Sequence, residues 1–122
     1  MLIGDVAKQS GLTIDTLRFY EKIGLIAPPM RNDGGRRVYG DDVLGWIRFL
    51  EQLNATGMKQ ADRIHYAALR QRGDETLTER REMLEQHREK IAAKLVLMQD
   101  TLALMDRKVA AYHDMERKAK GH

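Results

Sequence analysis

Between Thr76 and Lys120 the chain contains neither proline nor glycine, and no other feature constrains its fold as strongly. Thr76-Leu77-Thr78-Glu79 has the spacing of a capping box, in which the threonine hydroxyl and the glutamate carboxylate each satisfy a free backbone donor at a helix start. A helix of about 45 residues from this point would run roughly 65 Å at about 1.5 Å per residue. A domain built from the remaining residues is too small to cover it. Its apolar residues recur every seven positions, with Leu77, Leu84, Ile91, Met98, Met105 and Tyr112 in one register and Leu95, Leu102 and Val109 in the other. That period makes a coiled-coil seam and requires a partner helix, most simply from a second copy of the chain. Arg81 and Arg88 interrupt the second register, so the apolar stretch from Ile91 to Tyr112 is expected to carry the pairing. The dimerisation residues are accordingly Leu84, Ile91, Leu95, Met98, Leu102, Met105, Val109 and Tyr112.

The segment before this helix, residues 1–73, is expected to form one domain, with residues 74–122 forming the coil and a short tail. Of the 122 residues, 43% are hydrophobic and 32% charged, in the range of folded water-soluble proteins. No apolar run approaches the roughly 20 residues needed to span a bilayer, and the start of the chain has no secretion-signal pattern. A cytoplasmic location without membrane contact is the expectation. With no cysteine, the chain can build no disulfide, thiolate metal site or thiol redox switch. His65, His87, His113 and His122 lack the spacing of a ligand set, so neither a metal nor another cofactor is expected.

Net charge is +3, and residues 1–75 hold 11 Lys/Arg against 10 Asp/Glu, so charge alone does not point to nucleic acid. The local pattern does. Ile3, Val6 and Ala7 trace an amphipathic helix broken at Ser10-Gly11, and Thr13 is suited to cap a second helix over residues 14–23. Two short helices on a tight turn form a helix-turn-helix, whose second helix offers Thr16, Arg18 and Tyr20 to a major groove. Residues 31–39, RNDGGRRVY, carry three arginines against one aspartate. Gly34-Gly35 allows a tight hairpin that would project Arg36 and Arg37 beside the groove as a small β wing. From Asp41 the period is helical, with Val43, Leu44, Ile47, Leu50, Leu53 and Asn54 on one face and Trp46 joining the core. A fourth helix is expected from about Lys59 to Arg72, with Ile64, Ala68 and Tyr66 turned inward. The fold class is therefore mainly α, a winged helix-turn-helix head followed by a long dimerisation helix.

Ile3-Gly4-Asp5-Val6-Ala7, Thr16-Leu17-Arg18-Phe19-Tyr20-Glu21, Gly24-Leu25-Ile26 and Gly35-Arg36-Arg37-Val38-Tyr39 together resemble the MerR family of bacterial transcription regulators. The likeness continues from Asp42 to Gly57 and more loosely along the last helix. It departs at Phe19 and Arg36, where tyrosine or another aromatic is expected, and at Lys59-Gln60. The resemblance implies a homodimer with an antiparallel coiled coil, bound to a pseudo-palindromic site in double-stranded promoter DNA. It also implies an indirect action on RNA polymerase, through bending and untwisting of an over-long promoter spacer. The fourth helix then serves as a second wing that brings Lys59 near the phosphates. The implied DNA-binding residues are Thr13, Thr16, Arg18, Phe19, Tyr20, Lys22, Arg36, Arg37, Tyr39 and Lys59.

No signal is named by the sequence. Relatives that sense metals or oxidants commonly use cysteine, so either a small apolar ligand enters near Tyr66, Leu69 and Leu84, or regulation is by abundance alone. An enzyme is disfavoured, because no phosphate loop, nucleophile or paired acid is present and no catalytic residue can be named. Two further readings stay open: a coiled-coil adaptor that keeps the winged helix only for protein docking, and an architectural, excisionase-like DNA-bending protein without a signal response.

Overall fold

A computed structural model describes residues 1–121; His122 lies outside the described residues. In order it contains α1 (Ile3–Ser10), α2 (Ile14–Ile23), β1 (Met30–Arg31), β2 (Arg37–Val38), α3 (Val43–Ala55), α4 (Gln60–Gln71), a short 3-10 turn (Asp74–Thr76) and α5 (Leu77–Lys120). The chain divides into two compact units, Met1–Leu84 and Glu85–His122. The head thus runs further along the chain than the capping signal at Thr76 suggests, because Met83 and Leu84, on the first turns of α5, pack against its core.

Local chemistry explains the first two helices. α1 stops at Gly11, whose φ of 77° lets its N–H return to the carbonyl of Ala7. Thr13 sits in extended conformation ahead of α2 and accepts a 3.1 Å hydrogen bond from the Thr16 N–H, as an N-cap should. α2 ends at Gly24, and the N–H groups of Leu25 and Ile26 turn back to the Tyr20 carbonyl at 2.9 and 3.3 Å. That reversal drives Leu25 and Ile26 into a core shared with Val6, Leu17, Ile47 and Leu50. The Trp46 indole N–H donates to the Leu25 carbonyl at 2.8 Å, so the only tryptophan ties α3 to the end of α2.

The wing is a two-stranded antiparallel ribbon in which Met30 faces Val38 and Arg31 faces Arg37. Its turn differs in one respect from the expectation: Gly35 alone adopts positive φ (77°). The Asn32 side-chain oxygen accepts from the N–H groups of both Gly34 and Arg36 at 3.0 Å, holding the turn from within. Leu2 bridges to Val38, and the Tyr39 N–H donates to the Met1 carbonyl, which fastens the ribbon to the start of the chain.

Two helix faces are corrected. Asn54 is exposed instead of joining the α3 stripe, which ends at Leu53. On α4 the buried residues are Arg63, Tyr66, Ala67 and Leu69, while Ala68 is exposed and Ile64 only partly covered. The inward face is thus rotated by about one residue, or about 100°. A charged residue at its centre hid the phase, since the Arg63 stem can line a core while its head remains polar.

The junction to α5 is also built differently from a capping box. The Thr76 hydroxyl donates to the carbonyls of Leu69 (2.6 Å) and Gly73 (2.8 Å) and accepts from the Arg80 Nε at 3.0 Å. Glu79 lies instead 3.6 Å from His65. Thr76 is 2% exposed, and Thr76→Val removes the hydroxyl that joins the Leu69 and Gly73 carbonyls to Arg80; both carbonyls keep other donors, so the expected cost is that of one net hydrogen bond, about 1 kcal/mol. Denaturant unfolding at fixed protein concentration measures it, and an unchanged midpoint would refute the role.

In the second unit, α5 continues without a break to Lys120. Ile91, Leu95, Met98, Leu102, Met105, Val109 and Tyr112 are all exposed in the single chain. Leu84 is not among them. Val96, Leu97, Leu104 and Met115 are exposed as well, outside the heptad register. No helix among the described residues is long and apolar enough to cross a membrane.

Candidate nucleic-acid interface

Helix α2 has two unlike faces. Leu17 is fully buried and Tyr20 packs against the core, whereas Asp15, Arg18, Phe19 and Lys22 fall on the opposite side and are exposed. At about 100° per residue these four lie within one quarter to one third of the helix circumference. The wing flanks this face. Arg18, Lys22 and Arg37, with Glu21 and Pro28, line one open depression, where three cations outnumber one carboxylate. Arg36 points elsewhere, into a second hollow with Leu2, Ile3, Gly4, Asp5, Ile14 and Arg37.

Glu21 holds these parts in place. One carboxylate oxygen pairs with Arg37 at 3.1 Å, and the other accepts a hydrogen bond from the Tyr39 hydroxyl. The carboxylate is nearly covered, and Tyr39 is only 3% exposed. The recognition helix and the wing are thereby linked through one side chain. The motif containing Glu21 was visible in the sequence, but its role depends on residues 16 and 18 positions away, which no local pattern pairs. Glu21→Ala strands the buried Tyr39 hydroxyl, and the expected stability loss is about 1–3 kcal/mol. The half-exposed Arg37 contributes little of this. Thermal melting of Glu21→Ala beside Arg37→Ala separates the two terms; equal losses would contradict the assignment.

Several expected donors are engaged within the fold. The Tyr20 hydroxyl donates to Glu51 on α3 at 2.9 Å. Burial, reinforced by that hydrogen bond, raises the pKa of this phenol, which therefore stays neutral. Tyr20 and Tyr39 are thus internal struts. The Thr13 hydroxyl donates to the Thr16 hydroxyl at 2.9 Å while capping α2. Arg31 reaches across the wing turn to the Gly35 carbonyl at 2.8 Å. Lys59 is exposed at the start of α4 and does not line the depression formed by α2 and the wing.

The two residues named for an effector lie inside the head. Tyr66 (8% exposed) stacks on Trp46, with ring centroids 6.0 Å apart and planes 16° apart, and Leu69 is 2% exposed. Both are buried, and Leu84 is a partly buried residue packed against the core cluster that contains Tyr66. No cluster of three or more His, Cys, Asp or Glu able to hold a metal occurs among the described residues.

A helix-turn-helix whose second helix is tied to a β ribbon, with cations gathered between them, defines a winged helix-turn-helix protein. The model of the MerR family regulatory proteins matches residues 2–39. The chain is 40% identical over 91 residues to the HTH-type transcriptional regulator AdhR of Bacillus subtilis, covering 75% of this chain and 65% of that protein. It is 32% identical over 106 residues to an uncharacterized HTH-type transcriptional regulator of Haemophilus influenzae, covering 87% and 78% of the two chains. Among solved structures, a MerR family regulator from Listeria monocytogenes superposes with a TM-score of 0.82 at 37% identity, covering 92% of this chain and 85% of that one. HiNmlR, a MerR family regulator lacking the sensor domain and bound to promoter DNA, superposes with a TM-score of 0.80 at 30% identity, covering 93% and 90%. The chain belongs to the MerR family.

Proposed function

We infer that this protein is a DNA-binding transcription regulator that grips a pseudo-palindromic promoter site as a homodimer. The observation that carries this reading is the convergence of Arg18, Lys22 and Arg37 on one open surface beside the exposed face of α2. Lys22 and Arg37 so placed neutralise phosphates beside a groove, while the exposed face of α2, Arg18 included, meets the base edges. HiNmlR, which shares this fold, is bound to promoter DNA, and that supports a DNA-binding role. Arg36 extends the wing along the backbone, and Lys59 adds a phosphate contact from the start of α4.

Two heads joined by a coil at the α5 seam present two copies of α2 related by a two-fold axis, which matches an inverted repeat. An antiparallel pairing sets the heads apart at opposite ends of the coil. Holding both half-sites then bends and untwists the intervening DNA, at a cost of several kcal/mol offset by contacts from the wings and recognition helices. Such distortion realigns promoter elements for RNA polymerase. The test is fluorescence anisotropy with the promoter region of its own gene, titrated with salt. Binding should weaken steeply as salt rises, with a slope near −0.9 per phosphate contact. Affinity equal to that for random duplex at every salt concentration would reject sequence-specific regulation.

A further inference from the structure

Phosphate contacts explain affinity but not the choice of sequence, and the exposed face of α2 holds two residues that phosphates cannot use, Asp15 and Phe19. Two carboxylates lie on α2 itself. Glu21 is occupied by Arg37 and Tyr39, whereas Asp15 has no hydrogen-bond or ion-pair partner among the described residues. It occupies the first turn of α2, the part of a recognition helix that reaches deepest into a major groove. A carboxylate there is repelled by the phosphates on both sides unless a donor receives it.

The major groove offers two such donors, the amino groups of cytosine and adenine. Adenine presents its amino group beside the acceptor N7, which repels an anion, while cytosine presents the amino group without that neighbour. Four residues on, Phe19 stands beside Asp15 on the same face with its ring about half exposed. It has no polar atom, so its available partner in the groove is the thymine methyl. Residues four apart on a helix are about 5–6 Å apart, which spans at most two base-pair steps of about 3.4 Å.

We propose that Asp15 and Phe19 set sequence specificity, Asp15 accepting a hydrogen bond from a cytosine amino group and Phe19 packing on a thymine methyl within two base pairs, once in each half-site. The assignment rests on the DNA-binding reading above and adds to it which bases are read. It departs from a purely structural role for Asp15, in which the carboxylate only favours the positive end of α2.

The experiment is selection of a randomised duplex pool by the full chain, followed by anisotropy on the enriched site and its single-base variants. The wild type should enrich cytosine and thymine within two base pairs in both half-sites. Asp15→Ala should lower the preference for that cytosine by about 5- to 150-fold while leaving the salt slope unchanged. Asp15→Asn should move the preference towards adenine, which an amide can bond through both N6 and N7. Phe19→Ala should relax the thymine position alone. Thermal melting checks that each variant is folded, as expected for exposed positions. A wild-type base preference that Asp15→Ala leaves intact overturns this assignment alone; a wild type that enriches no sequence overturns the DNA-binding reading with it.

Discussion

Leu102→Asp is expected to convert the protein from a dimer into a monomer at micromolar concentration and to weaken operator binding by roughly 10²- to 10⁴-fold. The residue is 63% exposed in the single chain and lies midway along an apolar seam that is exposed from Ile91 to Tyr112. Pairing buries that seam, and a carboxylate placed there must either stay solvated and open the coil or lose its water at a cost of several kcal/mol. The loss on DNA follows from geometry. Each head holds a half-site weakly, and tying two heads together makes the second contact intramolecular, a gain of roughly 10²- to 10⁴-fold that vanishes with the tie. Leu97 supplies the control. It is 66% exposed but lies about 120° around α5 from the seam, so Leu97→Asp should leave the dimer intact. Sedimentation velocity of the three proteins decides the matter; a wild-type monomer, or equal disruption by both variants, would overturn the seam assignment.

The contrast between these two leucines shows what a repeat in sequence can and cannot reveal. Heptad spacing proposes a seam because a coiled coil is a one-dimensional device, in which position along the helix fixes the face. The same holds for the Thr13 cap and the Gly11 stop, which are settled by residues three or four positions away. Leu84 carries the right spacing but packs on the head, since its place on α5 lies where the core is within reach. Spacing was mute about that.

Tertiary polar pairing was similarly hidden. Tyr20 and Tyr39 look like donors for DNA when read along the chain, yet their hydroxyls are held by Glu51 and Glu21, which lie 31 and 18 residues away. Thr76 and Glu79 have capping-box spacing, but the buried carbonyls of Leu69 and Gly73 take the hydroxyl. Arg63 shifted the reading of α4, in which Tyr66 was placed inward correctly and Ala68 was not, because a buried arginine violates the apolar pattern from which the face was inferred. In each case a folded neighbour satisfies a polar group that sequence alone assigns to solvent, to a cap or to a ligand. The exposed face of α2 was easier to foresee, since Arg18 and Lys22 lie a turn apart opposite the buried Leu17.

Arg18→Ala should therefore reduce DNA binding without touching the fold. Its side chain is exposed on α2, lines the depression shared with Lys22 and Arg37, and its loss uncovers no core residue. If the guanidinium meets a base edge, each head loses about 1–3 kcal/mol; the dimer loses this twice, so operator affinity falls by roughly 30- to 10⁴-fold. Arg37→Ala should act differently. Part of its charge is already directed to Glu21, and what remains faces the backbone, so specific and random duplex should weaken together and the salt slope should shrink by about 1 per head. Anisotropy against operator and random DNA over a salt series reads both effects, with thermal melting to confirm that the head is intact. Unchanged operator affinity in folded Arg18→Ala would remove that residue from the interface. A loss in Arg37→Ala confined to the operator would transfer Arg37 from the phosphates to the bases, because only a base contact can lose affinity for one sequence and keep it for others.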